Sequence, residues 1–214
     1  MIINKLKCVF VHIPKTAGSS IEEVLYPSLG QISLMSDVKL FAGWDSKNKI
    51  WMQHATMQQI NDLYMGDVSE YFKFSFVRNP YERAVSDWKF LRGGGNEKWR
   101  SKTFLKYLNR DGYFKRMLSN RKDKSTRIDH TYPQYDFIYD KNGNCLIDFI
   151  GRMENLQEDF NVVCEKIGIP QQQLPHKKRQ TYKHYTEYYD DETREIVAEK
   201  YAKDIEYFGY EFGE

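Results

Sequence analysis

The residues best equipped for chemistry lie in two short polar stretches. Residues 8–25 read CVFVHIPKTAGSSIEEVL: an apolar run, a loop with Lys15, Ala17 and Gly18, hydroxyls on Thr16, Ser19 and Ser20, then helical spacing. N–H groups at a helix start, hydroxyls and an ammonium together favour an anion. The order is not that of the common phosphate loop, G-x-x-x-x-G-K-[ST], where lysine directly follows the last glycine. Here Lys15 comes three residues before Gly18, and no glycine precedes it. An ordinary helix cap needs one hydroxyl; it does not account for the lysine, the glycine and the other hydroxyls. The second stretch, FSFVRNPYERAVSDW (residues 74–88), offers Arg78 at the end of a strand-like run and Ser86 about two turns into a helix. A guanidinium forks onto a terminal phosphate, although Arg78 alone reads equally as a surface arginine. Two anion turns in one chain point to a ligand with phosphate groups at two separated points.

Proton transfer would fall to a histidine, and there are five: His12, His54, His130, His176 and His184. His12 lies within the first apolar run and reads as packed beside the loop. His54, in WMQHATMQQI, precedes a helical pattern that Thr56 is placed to cap. His130 lies in a polar loop and is the next candidate for a base. The three cysteines, Cys8, Cys145 and Cys164, are too widely spaced for a disulfide framework or a metal site, and Cys8 and Cys164 are expected to be buried thiols. No acidic residue closes an apolar strand in the manner of a magnesium ligand.

The elements that must position these groups follow from periodicity. Residues 7–13 and 71–77 are apolar throughout, as buried parallel strands are. Pro80 suits the first turn of a helix through YERAVSDWKFL. Residues 136–151 show two β-like runs around Asn142-Gly143, a hairpin signal. Residues 154–169 place Leu156, Phe160, Val163 and Ile167 on one helical face, and residues 190–210 read as one terminal helix, with Asp190 or Asp191 placed to cap it. Strands alternating with helices predict an α/β fold, with a mostly parallel central sheet flanked by helices. Ligands bind at the carboxyl ends of such strands, where both polar turns lie.

Composition limits the alternatives. The chain has 214 residues, enough for one sizeable domain, and its net charge of +2 lacks the basic excess of a nucleic-acid binder. Its N-terminal apolar stretch is too short for a secretory signal, and no run suits a membrane span. A protein of a reducing compartment is expected.

HIPKTAGSS followed by FSFVRNPYERAVSDW resembles the 5′- and 3′-phosphate-binding motifs of sulfotransferases that use 3′-phosphoadenosine 5′-phosphosulfate (PAPS). The resemblance is to their carbohydrate branch, with heparan 2-O- and chondroitin-type enzymes, and it continues to YYDDETREIVAEKYAKDIEYFGYEF near the C-terminus. It implies a P-loop-like three-layer fold, with residues 1–214 as a single sulfotransferase domain. It implies that Lys15, Thr16, Ala17, Gly18, Ser19 and Ser20 hold the 5′-phosphosulfate, and that Arg78 with Ser86 holds the 3′-phosphate. Lys15 would neutralise the leaving oxygen, His54 would match the branch's base, and Arg179 in the basic loop HKKRQTYK (176–183) would reach the nucleotide. The GRxE stretch at Arg152 and Glu154 matches a structural segment. The implied donor is PAPS, without a metal, and the acceptor is a hydroxyl, most simply on a glycan; a membrane span and nucleic acid are not expected. Relatives in eukaryotes carry membrane anchors and lumenal cysteines, so a small bacterial-type cytoplasmic enzyme is expected. A P-loop nucleotide kinase or NTPase, and a non-catalytic nucleotide-binding module, are the alternatives.

Overall fold

The structure, a computed structural model, describes residues 1–26, 41–93, 104–108, 128–175 and 183–214. Arg179, His176, most of the glycine-rich stretch 92–99 and the weak helical pattern at 113–118 lie outside the described residues. In chain order the elements are β1 (Ile2–Ile3), β2 (Cys8–Val11), α1 (Gly18–Leu25), β3 (Trp44–Asp45), β4 (Ile50–Trp51), α2 (Met57–Leu63), β5 (Phe72–Val77) and α3 (Pro80–Gly93). There follow α4 (Phe104–Leu108), α5 (Tyr135–Ile138), β6 (Phe149–Arg152), α6 (Leu156–Lys166), α7 (Asp191–Lys200) and α8 (Ala202–Phe208). None of the described helices is long and apolar enough to cross a membrane.

The chain is mixed α/β, with a central sheet in the order β1-β2-β5-β6 and flanking helices. The β2–β5 and β5–β6 pairs are parallel, in register from Cys8↔Phe72 to Val11↔Ser75 and from Phe74↔Phe149 to Val77↔Arg152. A short antiparallel edge, β1 on β2, was not legible in the sequence. Because β2 and β5 run side by side in one direction, the chain leaves both at the same edge of the sheet. Gly151 in β6 is a packing requirement: a Cβ there would come within 2.5 Å of the Phe76 ring.

The described residues gather into two compact units, Met1–Val77 with Asp136–Arg179, and Arg78–Tyr135 with Gln180–Glu214. In the first, α1 and α6 cover one face of the sheet. Phe10, Phe74 and Phe76 meet Ile21, Leu25, Phe160, Val163 and Cys164 there, all buried. Phe10 and Phe74 stack at 5.1 Å between centroids, an arrangement that adds to simple burial. Val9, Val11 and Val77 are buried as well, consistent with the continuous apolar character of the strands. Cys8 and Cys164 are the buried thiols expected, and burial pushes the Cys8 thiol up to about 12. In the second unit, α3, α4 and α7 pack through Tyr81, Trp88, Phe104, Tyr107, Val197 and Tyr201.

Caps were legible locally. Thr56 and Gln59 form a capping box at α2, and Asp190 with Thr193 forms another at α7. Two expectations are corrected. The first run of the hairpin at 136–151 is helical, and only a bridge between Tyr139 and Cys145 remains of the pairing. A remote residue drives this: Asp204 accepts hydrogen bonds from the N–H groups of Gln134 (2.9 Å) and Tyr135 (2.8 Å), satisfying the start of α5 from another helix. The single terminal helix is broken at Tyr201, which is buried and donates its hydroxyl to the Thr131 carbonyl at 3.2 Å.

Candidate functional site

In the first unit the chain leaves β2 at Val11 and enters α1 at Gly18. The hydroxyl of buried Ser75, in β5, donates to the Val11 carbonyl at 2.7 Å and fixes the point of departure. Two non-glycine residues in the turn are left-handed, Lys15 at φ 72° and Ala17 at φ 64°. That conformation opposes the Cβ and costs on the order of 1 kcal/mol per residue, so the surrounding structure must hold it. Part of the hold is Thr16, wholly buried, whose hydroxyl donates to the Ile13 carbonyl at 2.9 Å. The N-cap of α1 is Ala17, with no side-chain capping bond. The helix start is therefore not an ordinary hydroxyl-capped one, and its first N–H groups look outside the helix for acceptors. Ser19 is exposed, Lys15 and Ala17 are half-buried, and Gly18 and Ser20 are buried.

Beneath the loop lies His12, buried and stacked on Phe10 at 5.5 Å. A Cβ on Gly18 would fall 2.0 Å from His12 Nε2, so the glycine is required by the imidazole below it. His12 Nδ1 lies 2.7 Å from Glu22 Oε1, in the second turn of α1. Burial would raise the Glu22 carboxyl, but His12 beside it wins, through charge and hydrogen bond, and holds it below the ordinary carboxylate range. An ionised Glu22 accepts from Nδ1–H, which leaves Nε2 turned toward Gly18. His54, also buried, closes the turn Met52–His54 just before α2, and its ring meets that of His12 edge-on at 4.7 Å. The expectation that His12 packs beside the loop is met. The loop, His12 and His54 form one contiguous group.

In the second unit Arg78 follows directly on β5. Its backbone is bracketed by one side chain: its N–H donates to Gln134 Oε1 (2.9 Å), and its carbonyl accepts from Gln134 Nε2 (2.8 Å). Gln134 is seated in turn by Asp204, which accepts from the Gln134 backbone N–H. Arg78 is buried, and its Nη2 donates to Glu82 Oε1 at 2.6 Å, one turn along α3. Ser86 is buried further along α3. On the same helix Arg83 and Asp87 are both buried and bonded. Arg83 donates to the carbonyls of Tyr132 (2.9 Å) and His130 (3.0 Å). Asp87 accepts from the Tyr107 hydroxyl at 2.8 Å and pairs with His130 Nδ1 at 2.6 Å. Phe90 stacks on the His130 ring at 5.6 Å. His130 is thus an oriented imidazole with a carboxylate on Nδ1, the arrangement that makes Nε2 the basic nitrogen.

Reading the sequence missed Glu22, Asp87, Gln134 and Asp204. Glu22 stands ten residues from His12, across a loop. Asp87 and His130 are 43 residues apart, and Gln134 and Asp204 are 70 apart. No spacing rule links such pairs; only an apolar helix face interrupted by charged residues at 83 and 87 hints that these are satisfied inside the fold.

Comparison with known proteins adds the family. Residues 1–211 match the sulfotransferase family. The chain is 26% identical to carbohydrate sulfotransferase 14 of Danio rerio over 243 aligned residues, which cover 98% of this chain and 61% of that protein. It is 28% identical over 102 residues to an uncharacterized protein of Archaeoglobus fulgidus, covering 48% of this chain and 72% of that one. The chain thus spans about three-fifths of the length of the carbohydrate sulfotransferase it matches. No solved structure matches it. With the match running through both units and across both polar turns, the chain belongs to the sulfotransferase family.

Proposed function

We propose that residues 1–214 act as one domain that transfers the sulfuryl group of PAPS to a hydroxyl of a carbohydrate. The observation that carries this reading is the turn from β2 into α1. Its left-handed Lys15 and Ala17 lead into a helix start without a side-chain cap, in a chain of the sulfotransferase family. Backbone N–H groups, the Lys15 ammonium and the Ser19 hydroxyl make a donor set that fits a phosphosulfate. The continuous family match over both units supports a single domain, and similarity to a carbohydrate sulfotransferase supports a glycan acceptor.

Residues Lys15 to Ser20 take the 5′-phosphosulfate, and Arg78 with Ser86 takes the 3′-phosphate. In the transfer, the acceptor oxygen forms a bond to sulfur as the bond from sulfur to the 5′-phosphate oxygen breaks. Charge grows on that leaving oxygen, and Lys15 meets it. The acceptor proton passes to a histidine. His54 is our assignment for that base, beside the loop through its contact with His12. The Asp87 carboxylate at 2.6 Å makes His130 the second reading.

Incubation with labelled PAPS and a panel of unsulfated glycans, small alcohols and tyrosine peptides tests the reading, alongside calorimetry with adenosine 3′,5′-bisphosphate. Label transfer to a glycan and metal-independent binding of the bisphosphate are expected. Binding of ADP with strict Mg²⁺ dependence, and none of the bisphosphate, would overturn the reading in favour of a kinase or NTPase.

A further inference from the structure

Four contacts meet at His12 that neither the family match nor the anion reading assigns. It is the first residue after β2, and Glu22, its hydrogen-bond partner at 2.7 Å, lies in α1 beyond the loop. The pair therefore spans residues 13–17, the segment that holds two non-glycine left-handed residues. Its Nε2 side lies where a Gly18 Cβ would be, at 2.0 Å, so the ring sits directly against the first residue of the helix. Its ring also contacts His54 at 4.7 Å, with the planes 79° apart. Phe10 stacks behind it at 5.5 Å, which fixes the plane of the imidazole. Glu22 is ionised and accepts from Nδ1–H, which fixes its rotation and tautomer.

We propose that His12 and Glu22 are a positioning pair for sulfotransfer. They clamp the two ends of the 13–17 loop in its left-handed conformation and provide the surface against which His54 is held. This rests on the sulfotransfer reading and deepens it: the loop clamp governs how the donor is bound, and the ring governs where the base stands. Gly18 is then a glycine because of His12, not because a phosphate must approach its backbone.

Two comparisons test this, with adenosine 3′,5′-bisphosphate affinity and single-turnover transfer from PAPS to an unsulfated chondroitin chain as readouts. The first is a cycle of G18A and H12A. G18A alone is expected to weaken bisphosphate binding about 100-fold, while in the H12A background, where the ring is gone, it weakens it no more than about threefold. Equal losses in both backgrounds would show that position 18 lacks a Cβ for the sake of the ligand and not of the His12 ring, and would overturn the proposal. The second is His12→Gln, which keeps a donor for Glu22 but lacks the ring, and which decides the matter even if H12A does not fold. It is expected to bind the bisphosphate within about threefold of the unaltered protein and to turn over about tenfold more slowly. Unchanged turnover would overturn the role of the ring in holding His54. Failure of the unaltered protein itself to bind the bisphosphate is a different result: it removes the sulfotransfer reading, and this proposal with it.

Discussion

The two candidate anion turns are held by opposite means. Between β2 and α1 the hold is local: Thr16 bonds back to Ile13, and His12 reaches Glu22, all within the first 25 residues. At Arg78 the hold is remote: Gln134 grips both backbone groups of the arginine, and Asp204 seats Gln134. The carboxylates behind the two turns differ accordingly. Glu22 faces a histidine and is held below the ordinary range, whereas burial dominates at Asp204 and pushes it up despite nearby Arg83. A turn held mainly from nearby is damaged chiefly by changes near it in sequence, although Ser75 also supports its start from β5. A remotely held one can be lost through a substitution far from it along the chain.

The largest losses are expected at the first turn, and in rate. Leaving-group charge develops in the transition state, so Lys15→Ala should cut turnover deeply and also weaken the donor. His54→Ala should cut turnover by roughly 10²–10⁴ while leaving bisphosphate affinity almost unchanged, as expected for loss of a base. Single-turnover rates and calorimetry on both variants separate the roles. Normal turnover in His54→Ala would transfer the assignment to His130, with its Asp87 partner.

The second turn should fail in affinity. Arg78→Ala is expected to weaken adenosine 3′,5′-bisphosphate by about 2–3 kcal/mol, and a nucleotide lacking the 3′-phosphate far less. Equal losses for the two nucleotides would mean that Arg78 does not read the 3′-phosphate. Asp204→Asn tests the remote hold. Its amide keeps one acceptor oxygen and turns N–H toward one of the two N–H donors, that of Gln134 or that of Tyr135, so a loss of about 2 kcal/mol in stability is expected by denaturant titration. Bisphosphate affinity should fall with it, because Gln134 loses its seat. A stable Asp204→Asn protein with normal affinity would show that Gln134 needs no such support.

The carboxylate at the first turn has a pH signature. A depressed Glu22 stabilises the fold above its unfolded value, and that stabilisation is lost as pH falls through the folded one. Glu22→Gln should therefore be less stable by about 1 kcal/mol near neutrality, with the gap closing below the ordinary carboxylate range. The titratable groups facing Glu22 are His12, His54 and the amino terminus. A gap that stays constant down to strong acid would show that Glu22 gains nothing from them. The smallest expected effect is at Glu82, whose carboxylate accepts from Arg78 Nη2 and would compete with a bound phosphate for it. Because it is over one-third exposed, Glu82→Gln should tighten bisphosphate binding only by about twofold, and weaker binding would mean that Glu82 orients the arginine instead.

Much of the fold could be read from the chain because the relevant physics is short-ranged. The apolar runs at Cys8–Val11 and Phe72–Val77, the capping boxes at Thr56 and Asp190, and the stop after α6 all depend on residues a few positions apart. The same holds for the composition of the loop from Lys15 to Ser20. Tertiary structure decided what lies further off. It made α5 helical by supplying Asp204 to the N–H groups of Gln134 and Tyr135, where the local pattern favoured a strand. It gave His130 a carboxylate, and it put a histidine ring where only glycine fits at position 18. Periodicity and caps are properties of neighbouring residues. The partner of a buried polar group is chosen by whichever donor or acceptor the folded chain brings within about 3 Å, whatever its distance in sequence.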